Sequence, residues 1–168
     1  NNLSSYTKYL SKDAVYCSDR EVESGTYNLT DTTFDFATRT RLYTNYLPSH
    51  SCTNTNDAFS ASNINAKLIY PIGLMTADEI MFAGGKNGVN LISPYAWYYS
   101  NSDGKSITGS TWWWLMSPSL WFENQSYLFR VFGSSNPGIL GSYMTNGSET
   151  NGFGVRPVIS LKGNLIWK

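Results

Sequence analysis

Along the chain the apolar positions follow two regimes. Residues 18–66 are dominated by Ser, Thr, Asn, Asp and Gly, broken only by short apolar pieces such as FDFATRTRLY. Those polar types favour side-chain-to-backbone turns over regular structure, so this stretch predicts a long irregular segment. Before it, Leu3, Tyr6 and Leu10 stand at helical spacing and predict a short N-terminal helix. After it, YPIGLMTADEIMFAGG at 70–85 predicts a strand followed by a short helix. Thr76 and Glu79 form a capping box, with Met75 and Ile80 placed as its hydrophobic staple. Asp78 and Glu79 lie in the first turn, where the helix dipole favours negative charge. Ala77, Ile80 and Met81 share one face, and Gly84-Gly85 ends the helix.

The C-terminal half reads as strands separated by Gly/Asn/Ser turns. TWWWLMS (111–117), YLFRVF (127–132), GVRPVISL (154–161) and NLIWK (164–168) are the candidates. Pro157 cannot donate to a ladder and demotes the third to an edge or a bulge. GSSNPG and TNGSETNG carry turn chemistry. In WWWLMS, strand alternation sets Trp112 and Trp114 on one face and Trp113 with Leu115 on the other, mostly as core. In YLFRVF, Tyr127, Phe129 and Val131 face one way and Leu128, Arg130 and Phe132 the other; the pattern leaves open which set meets solvent. Together these elements predict a single α+β domain over 1–168 with little helix.

Charge narrows the function classes. Lys plus Arg and Asp plus Glu number twelve each, so no basic footprint for nucleic acid or an anionic membrane is visible. Charged residues make up 14% of the chain, below the usual ~25%. A surface polar through Ser, Thr and Asn rather than charge suits a secreted or cell-surface protein. No apolar run reaches the ~18 residues that span a bilayer, so no direct membrane insertion is expected. A chain beginning at Asn1 rather than Met reads as a processed product or the C-terminal part of a longer surface protein. Cys17 and Cys52 permit one bridge, closing a loop of about 35 residues worth ~3–4 kcal/mol on the chain-entropy model; two free thiols or a metal pair are the alternatives. A bridge implies an oxidising compartment.

Catalytic apparatus is sparse. The one histidine, His50, lies in a turn-rich stretch without a nucleophile-elbow motif, and reads as a solvated loop side chain. FAGGKNG (82–88) is a helix end rather than a strand-to-helix phosphate turn. Asp78 and Glu79 are explained by capping rather than by acid–base work. Arg156 in GVRPV could meet a ligand carboxylate, but a framework position favours internal pairing with a carboxylate or carbonyls.

YCSDREV (16–22), SCTNTNDAFS (51–60), YPIGLMTADEIMFAGG (70–85), WWWLMSPS (112–119) and GVRPVISL (154–161) occur in this order. As an ordered set they resemble an extracellular domain family of bacterial surface and pilin-like proteins with a C-type-lectin-like fold. That fold is shared with the formylglycine-generating enzymes and with the variable proteins of diversity-generating retroelements. The resemblance implies a small antiparallel sheet, a few short helices and long loops. It further implies that WWWLMSPS and GVRPVISL are framework and that 119–152 is the diversified, ligand-facing stretch. Two departures restrict it. The formylglycine-generating enzymes rely on a late cysteine pair, whereas nothing after residue 52 is Cys. Calcium-dependent lectins carry EPN or QPD with WND, whereas this chain has only SNPG at 135–138.

The reading is a non-catalytic extracellular binding domain, adhesin- or receptor-like, that needs no cofactor and no metal and whose partner is a protein or cell-surface ligand rather than nucleic acid. Large aromatics interleaved with amides after Pro118 match paratope composition, where Tyr and Trp give contact area at low entropic cost. The ligand-binding candidates are Leu120, Trp121, Phe122, Glu123, Asn124, Gln125, Tyr127, Phe129, Ser134, Asn136, Tyr143, Thr145, Asn146, Glu149 and Asn151. Of these, Trp121, Phe122, Asn124, Gln125, Tyr143 and Asn146 are expected on exposed loops, with Trp112, Trp114, Val155 and Val158 in packed strands. A structural or pilin-associated surface domain without a dedicated ligand is the alternative. An enzyme of the formylglycine-generating class comes third.

Overall fold

The computed structural model describes residues 6–23, 33–89, 112–132, 139–145 and 153–164. Its architecture is mixed α+β, mostly antiparallel strands with short helices. A 3₁₀ turn, Thr7–Tyr9, stands where the N-terminal helix was expected. Then follow β1 (Tyr16–Cys17), β2 (Thr33–Asp35), and a helical turn α1 (Ala37–Arg39) that runs into a π-helical turn over Thr40–Thr44. Next come β3 (Ala58–Phe59), β4 (Ile72–Leu74) and α2 (Ala77–Phe82), then β5 (Trp113–Phe122), β6 (Gln125–Val131), β7 (Leu140–Met144), β8 (Gly154–Val155) and β9 (Pro157–Ile159). The 18–66 stretch is therefore less irregular than its composition predicts, because FDF pairs as a strand and ATRTRLY coils as a helix.

The five-stranded sheet has the order β2-β5-β6-β7, with β8 parallel to the start of β5. Trp113 and Trp114 each pair with β6 on one side and β8 on the other, and Leu120 pairs with Tyr127 and with Asp35. One edge of β5 is thus shared end to end between β8 and β2. The GVRPVISL run divides at Arg156: β8 joins this sheet, while β9 leaves it and pairs antiparallel with β4, Val158 opposite Gly73. Pro157, lacking an N–H, stands at the changeover. Val155 is 63% exposed, contrary to the packed position expected of it, whereas Val158 packs on the core. A third pairing, β1 with β3, sets Tyr16 opposite Phe59.

The core gathers Leu42, Met75, Ala77, Ile80, Trp113, Leu115, Phe129, Val131 and Leu140. Residues directly opposite in a sheet share a face and neighbours along a strand alternate. Phe129, Val131, Leu140 and Trp113 therefore define a core face, covered by α2 and the helical turns. Arg156 turns its guanidinium onto the Trp113 ring, 4.6 Å from its centroid, so its internal partner includes an indole.

Helix α2 is built as its sequence dictates. Thr76 accepts from the Glu79 N–H while the Glu79 carboxylate accepts from the Thr76 N–H, 2.7 Å away. At its end the Gly85 N–H reaches the Ile80 carbonyl and the Gly84 N–H the Met81 carbonyl, with Gly84 at φ +94°; this double closure is the Schellman stop. The helix start is tied to β5, for the Ala77 N–H donates to the buried Ser117 hydroxyl at 2.9 Å. Strand β5 is bulged there: its register against β6 shifts between Trp114 and Pro118 and again before Leu120. In the bulge the Met116 N–H turns away to the Met75 carbonyl, 2.8 Å.

Cys17 and Cys52 form a disulfide, 35 residues apart in sequence. It bridges the polar segment, inside which Arg41 holds three pieces together. Its Nε and Nη2 fork onto Asp78 at 3.0 and 2.9 Å, and its Nη1 donates to Asp19 at 2.9 Å. Asp78 also accepts the Ser49 N–H at 2.7 Å. Burial lowers the Arg41 pKa, but hydrogen bonds and the charges of Asp78 and Asp19 more than offset this, leaving it raised.

Candidate binding face

The candidate residues 120–127 fall not on loops but on the β5–β6 hairpin. Phe122 pairs with Gln125, Trp121 with Ser126 and Leu120 with Tyr127. The two residues between the strands, Glu123 and Asn124, have φ of +46° and +64°. Both left-handed positions match the twist of a two-residue I′ hairpin, which normally uses Asn-Gly; a side chain at each costs energy that Gly would not. At the outer edge Thr33, Phe34 and Asp35 of β2 pair with Phe122, Trp121 and Leu120. At the inner edge the Thr145 N–H and hydroxyl both reach the Ser126 carbonyl, at 2.8 and 3.1 Å.

Alternation sorts the candidates between faces. Leu120, Phe122, Gln125, Tyr127 and Phe129 lie on the core side. Phe129 is fully buried, with Tyr43 against it edge-on at 5.3 Å. It is a core residue with no surface for a ligand. Leu120, Gln125 and Tyr127 are half-buried at the sheet's end, near Arg39, whose Nη1 donates to the Ser119 and Ser142 hydroxyls and whose Nε lies 3.3 Å from Asp35. Phe122 is 38% exposed, and Glu123, Asn124 and Thr145 are exposed.

On the second face Trp121 stacks on Phe34 at 6.4 Å, and Phe34 meets Phe36 edge-on at 5.4 Å. Further along that face Tyr143, on β7, joins a different group. Arg130 is buried, its guanidinium 3.6 Å from the Trp112 ring centre and 4.1 Å from that of Tyr143, with Phe132 at 4.6 Å and Phe153 at 5.0 Å. Trp114 closes the group edge-on to Phe153 at 4.7 Å. Trp112, Trp114 and Tyr143 are thus half-buried around a cation rather than lying in the main core or on a loop. Ser134, Asn136, Asn146, Glu149 and Asn151 lie outside the described residues.

Sequence reasoning missed Phe34 and Thr33, which sit far from the hairpin in the chain; the apolar alternation of FDF was their signal. It also missed Arg130 as the centre of an aromatic cluster, for which a lone cation amid alternating aromatics was the only hint. His50 is exposed, its ring stacked on Phe82 at 4.0 Å. Among the described residues no group of three or more His, Cys, Asp or Glu side chains is placed to hold a metal ion, and no helix is long and apolar enough to cross a membrane. Set against protein-family models, curated proteins and solved structures, the chain matches none of them.

Proposed function

We propose that this protein is a non-catalytic, extracellular binding domain of adhesin or receptor type, built on a C-type-lectin-like fold. Its ligand surface is the free end of the β5–β6 hairpin: Trp121, Phe122, Glu123, Asn124 and Thr145, with Thr33 and Phe34 beside them. One observation carries the reading. The turn keeps Glu and Asn where two left-handed residues are required, between an exposed Phe122 and a Trp121 stacked on Phe34. Strain of this kind persists where side-chain identity matters more than local stability, and aromatics beside amides supply rigid contact area with adaptable hydrogen bonding. The hydrogen-bonded hairpin presents these side chains on a fixed frame, so their identity can change without moving the backbone. That property suits a surface diversified by a retroelement, with the partner a protein or cell-surface ligand.

The test couples genetics with binding. The locus is expected to carry a reverse transcriptase and a near-copy of the sequence encoding 119–152 that differs at adenines. Beads coated with the protein should adhere to the cells it recognises, and a Trp121→Ala/Asn124→Ala variant should lose adhesion while remaining folded. Adhesion unchanged in that variant would favour a structural or pilin-associated surface domain. The half-burial of Leu120 and Tyr127 is what supports that second reading.

A further inference from the structure

Beside β2 lies a cleft of about 740 Å³, inside the range of roughly 300–1,000 Å³ usual for small-ligand sites. It is bounded by Arg20, Glu21, Phe36 and Asp57, with Thr53, Asn54 and Asn56 from the turn beside them. Its walls are fixed. Thr53 follows the bridged Cys52 directly. The Asn56 N–H donates to the Asn54 side-chain oxygen and the Asp57 N–H to the Asn54 carbonyl, both at 3.0 Å. Arg20 is anchored on Asp57, Nε to Oδ1 at 2.6 Å and backbone N–H to Oδ2 at 3.1 Å, while its Nη2 donates to the Asn56 carbonyl at 2.8 Å. The positive charge of Arg20 is therefore matched within the wall.

Glu21 is different. Its backbone is held at both ends, the N–H donating to Asp19 at 3.2 Å and the carbonyl accepting from the Ala37 N–H at 2.8 Å. Its exposed carboxylate makes no ion pair or hydrogen bond among the described residues. The Thr53 hydroxyl and the Asn56 side-chain amide are likewise unengaged there. One uncompensated negative charge thus stands in a pre-formed cleft beside the ring of Phe36 and uncommitted acceptors. Anions are repelled from such a site. A cation is attracted both by the carboxylate and by the aromatic face.

We propose that this cleft binds a lysine-type ligand, a primary ammonium on an apolar stem, as presented by a basic peptide side chain. The ammonium pairs with Glu21, the stem lies along Phe36, and Thr53 and Asn56 accept its remaining N–H groups. The site is separate from the hairpin end, although the Trp121–Phe34–Phe36 row runs between the two.

The test is titration of ¹⁵N-labelled protein with Nα-acetyl-lysine methylamide, followed by NMR. Shift changes are expected at Glu21, Phe36 and 53–56. The Nε-acetylated probe, which lacks the charge that meets both Glu21 and the aromatic face, should bind roughly tenfold more weakly, and the lysine probe should bind Glu21→Gln roughly two- to fivefold more weakly. Because the Glu21 carboxylate holds nothing else among the described residues, that variant should melt as the wild type does. Trp121→Ala should bind the lysine probe unchanged, which separates this site from the hairpin reading. Equal binding of the charged and acetylated probes, unaltered binding to Glu21→Gln, or no shift change in the cleft at millimolar probe would each overturn the proposal.

Discussion

Arg41 shows how much a single side chain carries where apolar residues are few. Asp78 keeps only 7% of its side-chain surface and Arg41 23%, so removing the guanidinium strands a nearly buried carboxylate. Breaking a fully buried pair costs ~3–5 kcal/mol; with Arg41 partly solvated, Arg41→Met should cost about 2–3 kcal/mol, read as a lower urea midpoint. Arg41→Lys should recover only part, since an ammonium cannot fork onto Asp78 and also reach Asp19. Tyr43 contributes a dependence on alkaline pH. Burial raises its pKa above 10.0, only partly opposed by the hydrogen bond with Ser142 and the charges of Arg39 and Arg130. The fold therefore favours the neutral phenol. That contribution is intact below the unfolded-state value near 10 and disappears as pH rises through the higher folded value. Tyr43→Phe has no phenol to ionise, so its melting temperature should fall less steeply than that of the wild type between pH 10 and 11.

Among the elements, the hairpin turn gives the sharpest expectation. Asn124→Gly relieves one left-handed side chain and restores a favoured I′ residue, which should stabilise the domain by about 0.5–1 kcal/mol. The measurement is the melting temperature, with adhesion expected to fall if Asn124 contacts ligand. What was legible beforehand follows from the range of the interactions. Helix α2, with its box, staple and glycine stop, is local chemistry written within the eleven residues from Met75 to Gly85. The strands 113–117 and 127–131 are local alternation. Their continuation was hidden: Pro118 reads as a break, yet β5 continues to Phe122. In its bulge the Met116 N–H donates to the Met75 carbonyl and the Ser117 hydroxyl accepts from the Ala77 N–H, partners some forty residues upstream that no window of sequence contains. Strand β2 was missed for the same reason, because Phe34 becomes a strand residue only by pairing with Trp121. The candidate site was legible as a stretch but not as a surface. Alternation alone cannot say which face of β6 is buried, and so Phe129 counted as a contact residue although it belongs to the core.

In the molecule as a whole, the two faces of the five-stranded sheet do different work. The core face excludes water with Trp113, Leu115, Phe129 and Val131; the second face packs aromatics around Arg130 and then, past Pro118, presents Trp121 and Phe34. An alanine series should resolve these zones. Trp113→Ala and Phe129→Ala empty fully buried sites and should cost ~3–5 kcal/mol, a large share of a domain's 5–15 kcal/mol. Trp112→Ala and Tyr143→Ala remove half-buried rings and their cation–π contacts with Arg130, so about 1–3 kcal/mol is expected. Trp121→Ala loses one stacked pair on a half-exposed strand end, about 1 kcal/mol; Glu123→Ala should stay within ~0.5 kcal/mol, while Asn124→Ala, which puts Ala at a left-handed position that Asn tolerates better, should cost about 1 kcal/mol. Binding should rank the other way. Anchors such as Trp121 are expected to cost 2 kcal/mol or more in affinity, and Trp113→Ala should weaken binding only by lowering the folded fraction. The two rankings are measured on the same variants, by melting temperature and by adhesion at a temperature where all are folded. If Trp121→Ala unfolds the domain as severely as Trp113→Ala, the hairpin end is core and cannot be the ligand surface.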